Sequence, residues 1–108
     1  MGSQVFADSK AAAVVQEARP KLKRPPLYQV ILHNDDFTPM DFVVEILRKI
    51  FLMPEEKAIQ IMLQVHQSGK AICGIYTRDI AETKVALVND CAHSNDHPLL
   101  CTMEAVPQ

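Results

Sequence analysis

The sequence has little of what several specialised classes of protein require. Its apolar residues form no run as long as a membrane span, and its N-terminus lacks the basic-then-apolar order of a secretory signal. It carries 11 Lys and Arg against 13 Asp and Glu, without the clustered excess of cations that phosphate binding needs. These absences argue against membranes and nucleic acid as partners, and they predict a cytoplasmic protein.

Cysteine is scarce as well. The three cysteines, Cys73, Cys91 and Cys101, leave one over after any pairing, and none lies in a CxxC motif. Each has apolar neighbours, which favours buried, reduced thiols. Cys91, His93, His97 and Cys101 do supply possible zinc ligands close together in the chain. Their spacing matches no common zinc-finger pattern, so we expect neither a metal nor another cofactor.

The composition changes near residue 25. Residues 1–25 show little apolar periodicity and run into the basic, proline-rich stretch Arg19-Pro20-Lys21-Leu22-Lys23-Arg24-Pro25-Pro26. This composition predicts a flexible N-terminal extension that acts as a tether. Residues 26–108 then form a single folded domain, small enough that nearly every amphipathic segment must contribute to one core.

Apolar periodicity predicts the order β-α-α-β-α-β within this domain. Strands are predicted over residues 27–32, 71–76 and 99–106. Helices are predicted over residues 40–51, from Pro54 to a left-handed cap at Gly69, and over residues 79–92. This order on so short a chain implies an α+β sandwich, a three-stranded antiparallel sheet with the helices packed on one face.

The turn after the first strand carries the most informative run, Asn34-Asp35-Asp36-Phe37-Thr38-Pro39-Met40-Asp41. Thr38 is placed to cap the following helix, with Pro39 at the first helical position and Asp41 completing an Asp version of the capping box. Asn34, Asp35 and Asp36 are therefore not needed to cap the helix. Their two carboxylates and one amide are suitable acceptors for an ammonium group, which has three N–H donors. The alternative is an Asx-rich turn whose side chains bond only their own backbone.

His66 lies near the end of the second predicted helix, where a lone histidine is more often structural than a ligand. The short connection around Met53 favours antiparallel packing of the first two helices, which would bring His66 close to Asp35 and Asp36. The space between would be lined by Met40, Val43, Met62 and Val65. A cation-binding rim above an apolar hole fits a free N-terminal amino acid with a large side chain.

Five motifs, in this order along the chain, resemble the ClpS family. They are Asn34-Asp35-Asp36-Phe37-Thr38-Pro39-Met40-Asp41-Phe42-Val43, Met62-Leu63-x-Val65-His66, Gly69-Lys70-Ala71-Ile72-Cys73-Gly74, Ala81-Glu82-Thr83-Lys84-Val85 and His97-Pro98-Leu99-Leu100-Cys101-Thr102. The likeness covers about residues 26–105. ClpS proteins are bacterial adaptors that deliver substrates with destabilising N-terminal residues to the ClpA–ClpP protease. His33 and Arg78-Asp79 are departures that bear on peptide preference and partner fit.

The resemblance implies a role for each matching position and no catalytic activity. Asn34, Asp36 and His66 would hold the α-amino group of a substrate, with Asp35 adding negative charge. The side-chain pocket would be formed by Thr38, Met40, Val43, Met62, Val65 and Leu99. The face carrying Asp79 and Lys84 would dock on the N-terminal domain of a ClpA-type AAA+ unfoldase. The implied substrates are N-degrons that begin with Leu, Phe, Tyr or Trp.

Two other classes of function remain open from the residues themselves. One is a small hydrolase that uses Asp35 or Asp36 with His66 as an acid–base pair, although no serine or cysteine nucleophile stands in a motif. The other is a plain interaction domain akin to the C-terminal domain of the ribosomal stalk protein, which shares this element order. Peptide turnover would indicate the hydrolase, and binding that ignores a blocked amine would indicate the interaction domain.

Overall fold

The strands and helices follow one another in the predicted order. A computed structural model describes residues 24–107, and its elements are β1 Leu27–His33, α1 Met40–Lys49, α2 Glu55–Ser68, β2 Lys70–Thr77, α3 Arg78–Ser94 and β3 Leu100–Ala105. The order β-α-α-β-α-β is therefore confirmed, and the ends differ from the predicted ones by no more than about two residues, as element ends commonly do. Most of the expected extension, residues 1–25, lies outside the described residues.

The three strands form an antiparallel sheet in the order β2-β1-β3. His33, the last residue of β1, pairs with Lys70 and with Leu100, the first residues of β2 and β3. The end of the central strand therefore meets the beginnings of both neighbours at one end of the sheet. Whatever follows β1, precedes β2 or precedes β3 in the sequence is brought together there.

One face of the sheet and all three helices of the described part share an apolar core. Val30 and Leu32 of β1 and Leu47 of α1 are completely buried in it. Each helix buries side chains at helical spacing: Val43, Ile46 and Leu47 in α1, Ala58, Met62 and Val65 in α2, and Ala81, Val88 and Ala92 in α3. Ile72 and Leu100, which point to the other face, are about half exposed. The predicted sandwich with helices on one face is confirmed.

The start of α1 differs from the predicted capping box. Pro39 occupies the N-cap position in extended conformation, and no side chain caps the helix. The hydroxyl of Thr38 donates to the Asp35 carboxylate instead, and the Asp41 carboxylate accepts from the Phe42 amide 3.0 Å away. The prediction was wrong because Pro39, and not Thr38, is the N-cap residue: Thr38 stands one residue before it, and its hydroxyl is turned back toward Asp35 as a donor.

The ends of α2 agree more closely with the sequence. Pro54 lies one residue before the helix rather than in its first turn, and Glu55 and Glu56 place negative charge at the positive end of the helix dipole. Gly69 closes the helix with φ 92°, a left-handed conformation that glycine adopts without steric penalty. Among the described residues, no helix is both long and apolar enough to cross a membrane.

Lys84 of α3 connects two elements rather than pointing freely into solvent. Its Nζ donates to the carbonyl oxygen of Ile50, the C-cap residue of α1, at 2.6 Å. The same ammonium lies 5.9 Å from the ring centroid of Phe51 and 5.7 Å from that of Tyr76. A cation therefore satisfies a carbonyl at the negative end of α1 while it lies over two aromatic faces.

We expect Lys84→Met to lower the free energy of unfolding by about 1–3 kcal/mol, because methionine keeps the apolar stem but leaves the Ile50 carbonyl without its charged donor. Lys49→Met is the matched control. Lys49 is exposed and pairs with Glu45 at 3.2 Å, a surface contact worth less than about 0.5 kcal/mol. Urea denaturation of both variants measures the difference, and equal losses would show that the Lys84 contact does not stabilise the fold.

Candidate functional site

A cavity of about 190 Å³ opens at the end of the sheet where β1 ends and β2 and β3 begin. It is lined by His33, Asn34, Asp35, Asp36, Thr38, Met40, Val43, Met62, Val65, His66 and Leu99. Every residue that the sequence associated with the amine or with the side-chain pocket borders this one space. The strand register explains why, since the Asn34 turn follows β1, the end of α2 precedes β2, and Leu99 precedes β3.

The two helices contribute opposite ends to the cavity. Met40 and Val43 come from the first turns of α1, whereas Met62, Val65 and His66 come from the last two turns of α2. An antiparallel pair of helices places such ends side by side, as expected from the short connection between them. Residues distant in sequence thus share one wall.

The floor of the cavity is apolar and its rim is polar. Val43, Met62, Val65 and Leu99 are buried and belong to the main core. Asn34, Asp36 and His66 are exposed, and no hydrogen bond joins their side chains to other described residues. Met40, with 47% of its surface exposed, stands at the mouth. The arrangement offers hydrogen-bond acceptors at the opening and an apolar volume immediately below.

Asp35 differs from its neighbours, because hydrogen bonds within its own turn occupy its carboxylate. Its Oδ1 accepts from the Phe37 amide at 2.8 Å and from the Thr38 amide at 2.8 Å. The Thr38 hydroxyl lies 3.0 Å from Oδ1 and 2.7 Å from Oδ2. Burial acts to raise the pKa of Asp35, but these hydrogen bonds and the nearby His97 outweigh burial, and the pKa lies below its ordinary value.

A backbone contact joins the turn to the end of α2. The Asn34 amide donates to the carbonyl oxygen of Gly69 at 2.9 Å. Gly69 can present that carbonyl because its positive φ turns the chain sharply after the helix. Since His66 lies in the last turn of the same helix, this hydrogen bond ties the backbone of Asn34 to the element that carries His66.

His33 also lines the cavity, although its sequence context did not associate it with the amine or the side-chain pocket. Its Nε2 lies 2.8 Å from the hydroxyl of Thr102, a hydrogen bond between β1 and β3. The ring is part-buried and adjoins the polar rim just before Asn34. Its position directly before the acidic run was the only signal in the sequence, and that signal does not reveal which way the ring points.

The cysteines and histidines that were weighed as zinc ligands are separated. Cys101 is buried in β3 and Cys91 is half-buried in α3, whereas the His97 ring packs edge-on against Phe42 at 4.5 Å between centroids. Within residues 24–107, no three side chains of ligand type converge on a possible metal position. Burial raises the pKa of the Cys73 and Cys101 thiols to about 12, so both are neutral thiols at ordinary pH.

The residues expected at the docking face lie apart from the cavity. Asp79 is exposed in the first turn of α3. Lys84 is half-buried on the same helix because of its contacts with Ile50 and the two rings. The structure therefore gives Lys84 a contact that the sequence did not reveal, and neither residue is among those that line the cavity.

The cavity also bears on the hydrolase alternative. No serine or cysteine is among the residues that line it. The one hydroxyl on its wall, that of Thr38, is committed to the Asp35 carboxylate and not to a histidine. The arrangement of nucleophile, base and orienting group that activates a hydroxyl is therefore not assembled in this cavity.

Known proteins similar to this chain agree on one family. The family described as ATP-dependent Clp protease adaptor protein ClpS matches residues 23–102. The ClpS adapter protein of Methylococcus capsulatus is 62% identical over 90 residues, which are 83% of this chain and 85% of that one. The ClpS adapter protein of Vibrio atlanticus is 55% identical over 98 residues, which are 91% of this chain and 92% of that one.

The fold agrees as well. The structure of Agrobacterium tumefaciens ClpS2 bound to L-phenylalaninamide superposes with a TM-score of 0.76 at 40% sequence identity. The match covers 77% of this chain and 100% of that one. With the family match spanning most of the described residues, the chain belongs to the ClpS family of ATP-dependent Clp protease adaptor proteins.

Proposed function

We propose that this protein binds the free α-amino group and the bulky apolar first side chain of N-degron substrates, and delivers them to a ClpA-type AAA+ unfoldase. The observation that carries the proposal is the cavity of about 190 Å³ with exposed acceptors at its rim and core residues as its floor. Residues 26–108 supply both the substrate site and the docking face. The extension before them supplies a tether.

The amine site consists of Asn34, Asp36 and His66. An ammonium group has three N–H donors, and an amide oxygen, a carboxylate and an unprotonated imidazole nitrogen are three matching acceptors. Each such charge-assisted hydrogen bond contributes on the order of 1.5–3 kcal/mol. The exposed position of these side chains lets an incoming amine reach them without rearrangement of the core.

The side-chain pocket consists of Thr38, Met40, Val43, Met62, Val65 and Leu99. Burial of a Leu or Phe side chain in it contributes about 1.5–3 kcal/mol, which is comparable to one of the amine hydrogen bonds. Neither group suffices alone, so the site selects chains that begin with Leu, Phe, Tyr or Trp. The ClpS2 relative supports this choice, because L-phenylalaninamide offers a free amine beside an aromatic side chain.

N-acetylation of a Leu-initiated peptide should weaken its binding at least about tenfold, which corresponds to about 1.4 kcal/mol. Acetylation removes the positive charge and the donors while it leaves the Leu side chain unchanged. Fluorescence anisotropy with matched free and acetylated peptides measures the ratio. Equal affinities would contradict amine recognition and favour a plain interaction domain, and cleavage of the free peptide during the assay would favour the hydrolase.

Met40→Ala should admit peptides that begin with Ile or Val while it weakens Leu-initiated peptides only modestly. Met40 stands at the mouth of the cavity, where a first residue branched at Cβ would press against it. Met40→Leu is the matched control, since it keeps a bulky apolar group at the mouth and should keep the exclusion. If the Met40→Ala variant is folded and still does not bind peptides that begin with Ile or Val, another residue excludes these peptides.

The docking face is centred on Asp79 of α3 and includes Lys84, five residues further along the same helix. Asp79 is exposed and its side chain makes no hydrogen bond within the described residues, so its removal should not disturb the fold. Lys84 is a poorer probe, because its loss also frees the Ile50 carbonyl.

Asp79→Asn should weaken binding to the isolated N-terminal domain of the unfoldase by about 0.5–1 kcal/mol, roughly two- to fivefold, and leave peptide affinity unchanged. Glu56→Gln, which removes an exposed acid from the first turn of α2, is the control for loss of one negative charge. Calorimetric titration with the unfoldase domain separates the two variants. Equal effects would place the docking face elsewhere.

A further inference from the structure

The Asp35 carboxylate has little capacity left for a substrate amine. A carboxylate has about four lone-pair sites, two on each oxygen. Oδ1 accepts from the Phe37 amide and the Thr38 amide, and the one proton of the Thr38 hydroxyl is donated to Oδ2, the nearer oxygen at 2.7 Å, so three donors already occupy the carboxylate. Asp36, the next residue, has no such bonds to the described residues and stays exposed. Of these two adjacent acids, Asp35 is therefore hydrogen-bonded within the turn, whereas the Asp36 carboxylate is free to bind a ligand.

The turn depends on this carboxylate for its conformation. Residues 34–39 lie between two fixed points, the Asn34 amide bonded to Gly69 and the Pro39 carbonyl that begins α1. Between these points the hydrogen bonds of the described residues are the ones that Asp35 accepts. Fixing the backbone of a single residue costs roughly 1–2 kcal/mol in entropy, so a short loop without such bonds would sample several conformations.

We propose that Asp35 is a positioning residue of the amine site and not one of its ligands: it folds the turn that holds Asn34 and Asp36 on either side of it toward His66. The inference rests on the proposed function, because it concerns the same site. It replaces the expectation that Asp35 acts through its negative charge. Thr38 shares the role, because its hydroxyl is the donor to Oδ2.

Asparagine at each acidic position separates the two roles. Asp35→Asn keeps a side-chain oxygen that can accept from the Phe37 and Thr38 amides, and asparagine forms such Asx turns readily. We expect its affinity for a free Leu-initiated peptide to stay within about threefold of wild type. Asp35→Ala removes every acceptor and should lose about tenfold or more. Asp36→Asn, which removes a direct charge, should also lose about tenfold or more and should show a weaker salt dependence of binding.

A double-mutant cycle tests the partnership with Thr38. Thr38→Val keeps the shape of the side chain and removes the hydroxyl, so it should weaken peptide binding in the wild-type background. In the Asp35→Ala background the same substitution should add less than about twofold, because its acceptor is already absent. Additive losses would mean that the two side chains act separately, which overturns the inference.

Amide hydrogen exchange gives a readout that needs no peptide. The Phe37 and Thr38 amides should be protected from exchange in wild type and in Asp35→Asn, and they should exchange freely in Asp35→Ala. The global stability of each variant is measured alongside as the control for unfolding. The proposal is overturned if Asp35→Asn loses as much affinity as Asp36→Asn while free and acetylated peptides are still distinguished, since Asp35 is then a ligand by charge. If wild type does not distinguish free from acetylated peptides, amine recognition itself fails and the positioning role falls with it.

Discussion

Burial of a single apolar core is the constraint on which the rest of this structure depends. Leu32 of the central strand and Leu47 of α1 are completely buried in the same cluster, and that cluster continues without a break to Val43, Met62 and Val65. Those last three side chains are also the floor of the cavity. The candidate site is therefore the place where the core reaches the surface, and an apolar side chain bound there would extend the core by one more member. Under the proposed function, substrate selectivity and fold stability would rest on the same packed side chains.

The polar rim is held by a different kind of contact. The hydrogen bond from Asn34 to Gly69 fixes one end of the turn, the Asp35 carboxylate fixes the middle, and α1 fixes the other end. A rim that is ordered before a ligand arrives loses less entropy on binding, and the proposed ligand, an amine with one side chain, offers few contacts to offset such a loss. The left-handed conformation of Gly69 serves both the end of α2 and this rim, so one residue joins helix termination to the geometry of the site.

The two proposed surfaces have different relations to the core. The amine rim can change without loss of core packing, because Asn34, Asp36 and His66 are exposed and make no hydrogen bonds to the described side chains. The docking face on α3 is partly structural, since Lys84 donates to Ile50 and lies over Phe51 and Tyr76. Loss of partner binding in a Lys84 variant would mix two effects, a lost contact and a loosened end of α1.

The sequence by itself determined the element order and the one-sided sandwich, and it placed Met40, Val43, Met62, Val65 and His66 beside the Asn34-Asp35-Asp36 run, because apolar periodicity and that run are local signals. It also led to the family through motifs that stand in the same order. The tertiary structure decided where α1 begins and which distant groups the side chains meet. Thr38 does not cap α1, because the helix has Pro39 as its N-cap residue and the Thr38 hydroxyl is turned back toward Asp35. The His33–Thr102 hydrogen bond spans 69 residues and the Lys84–Ile50 bond spans 34, and no local pattern encodes which distant group a side chain will meet.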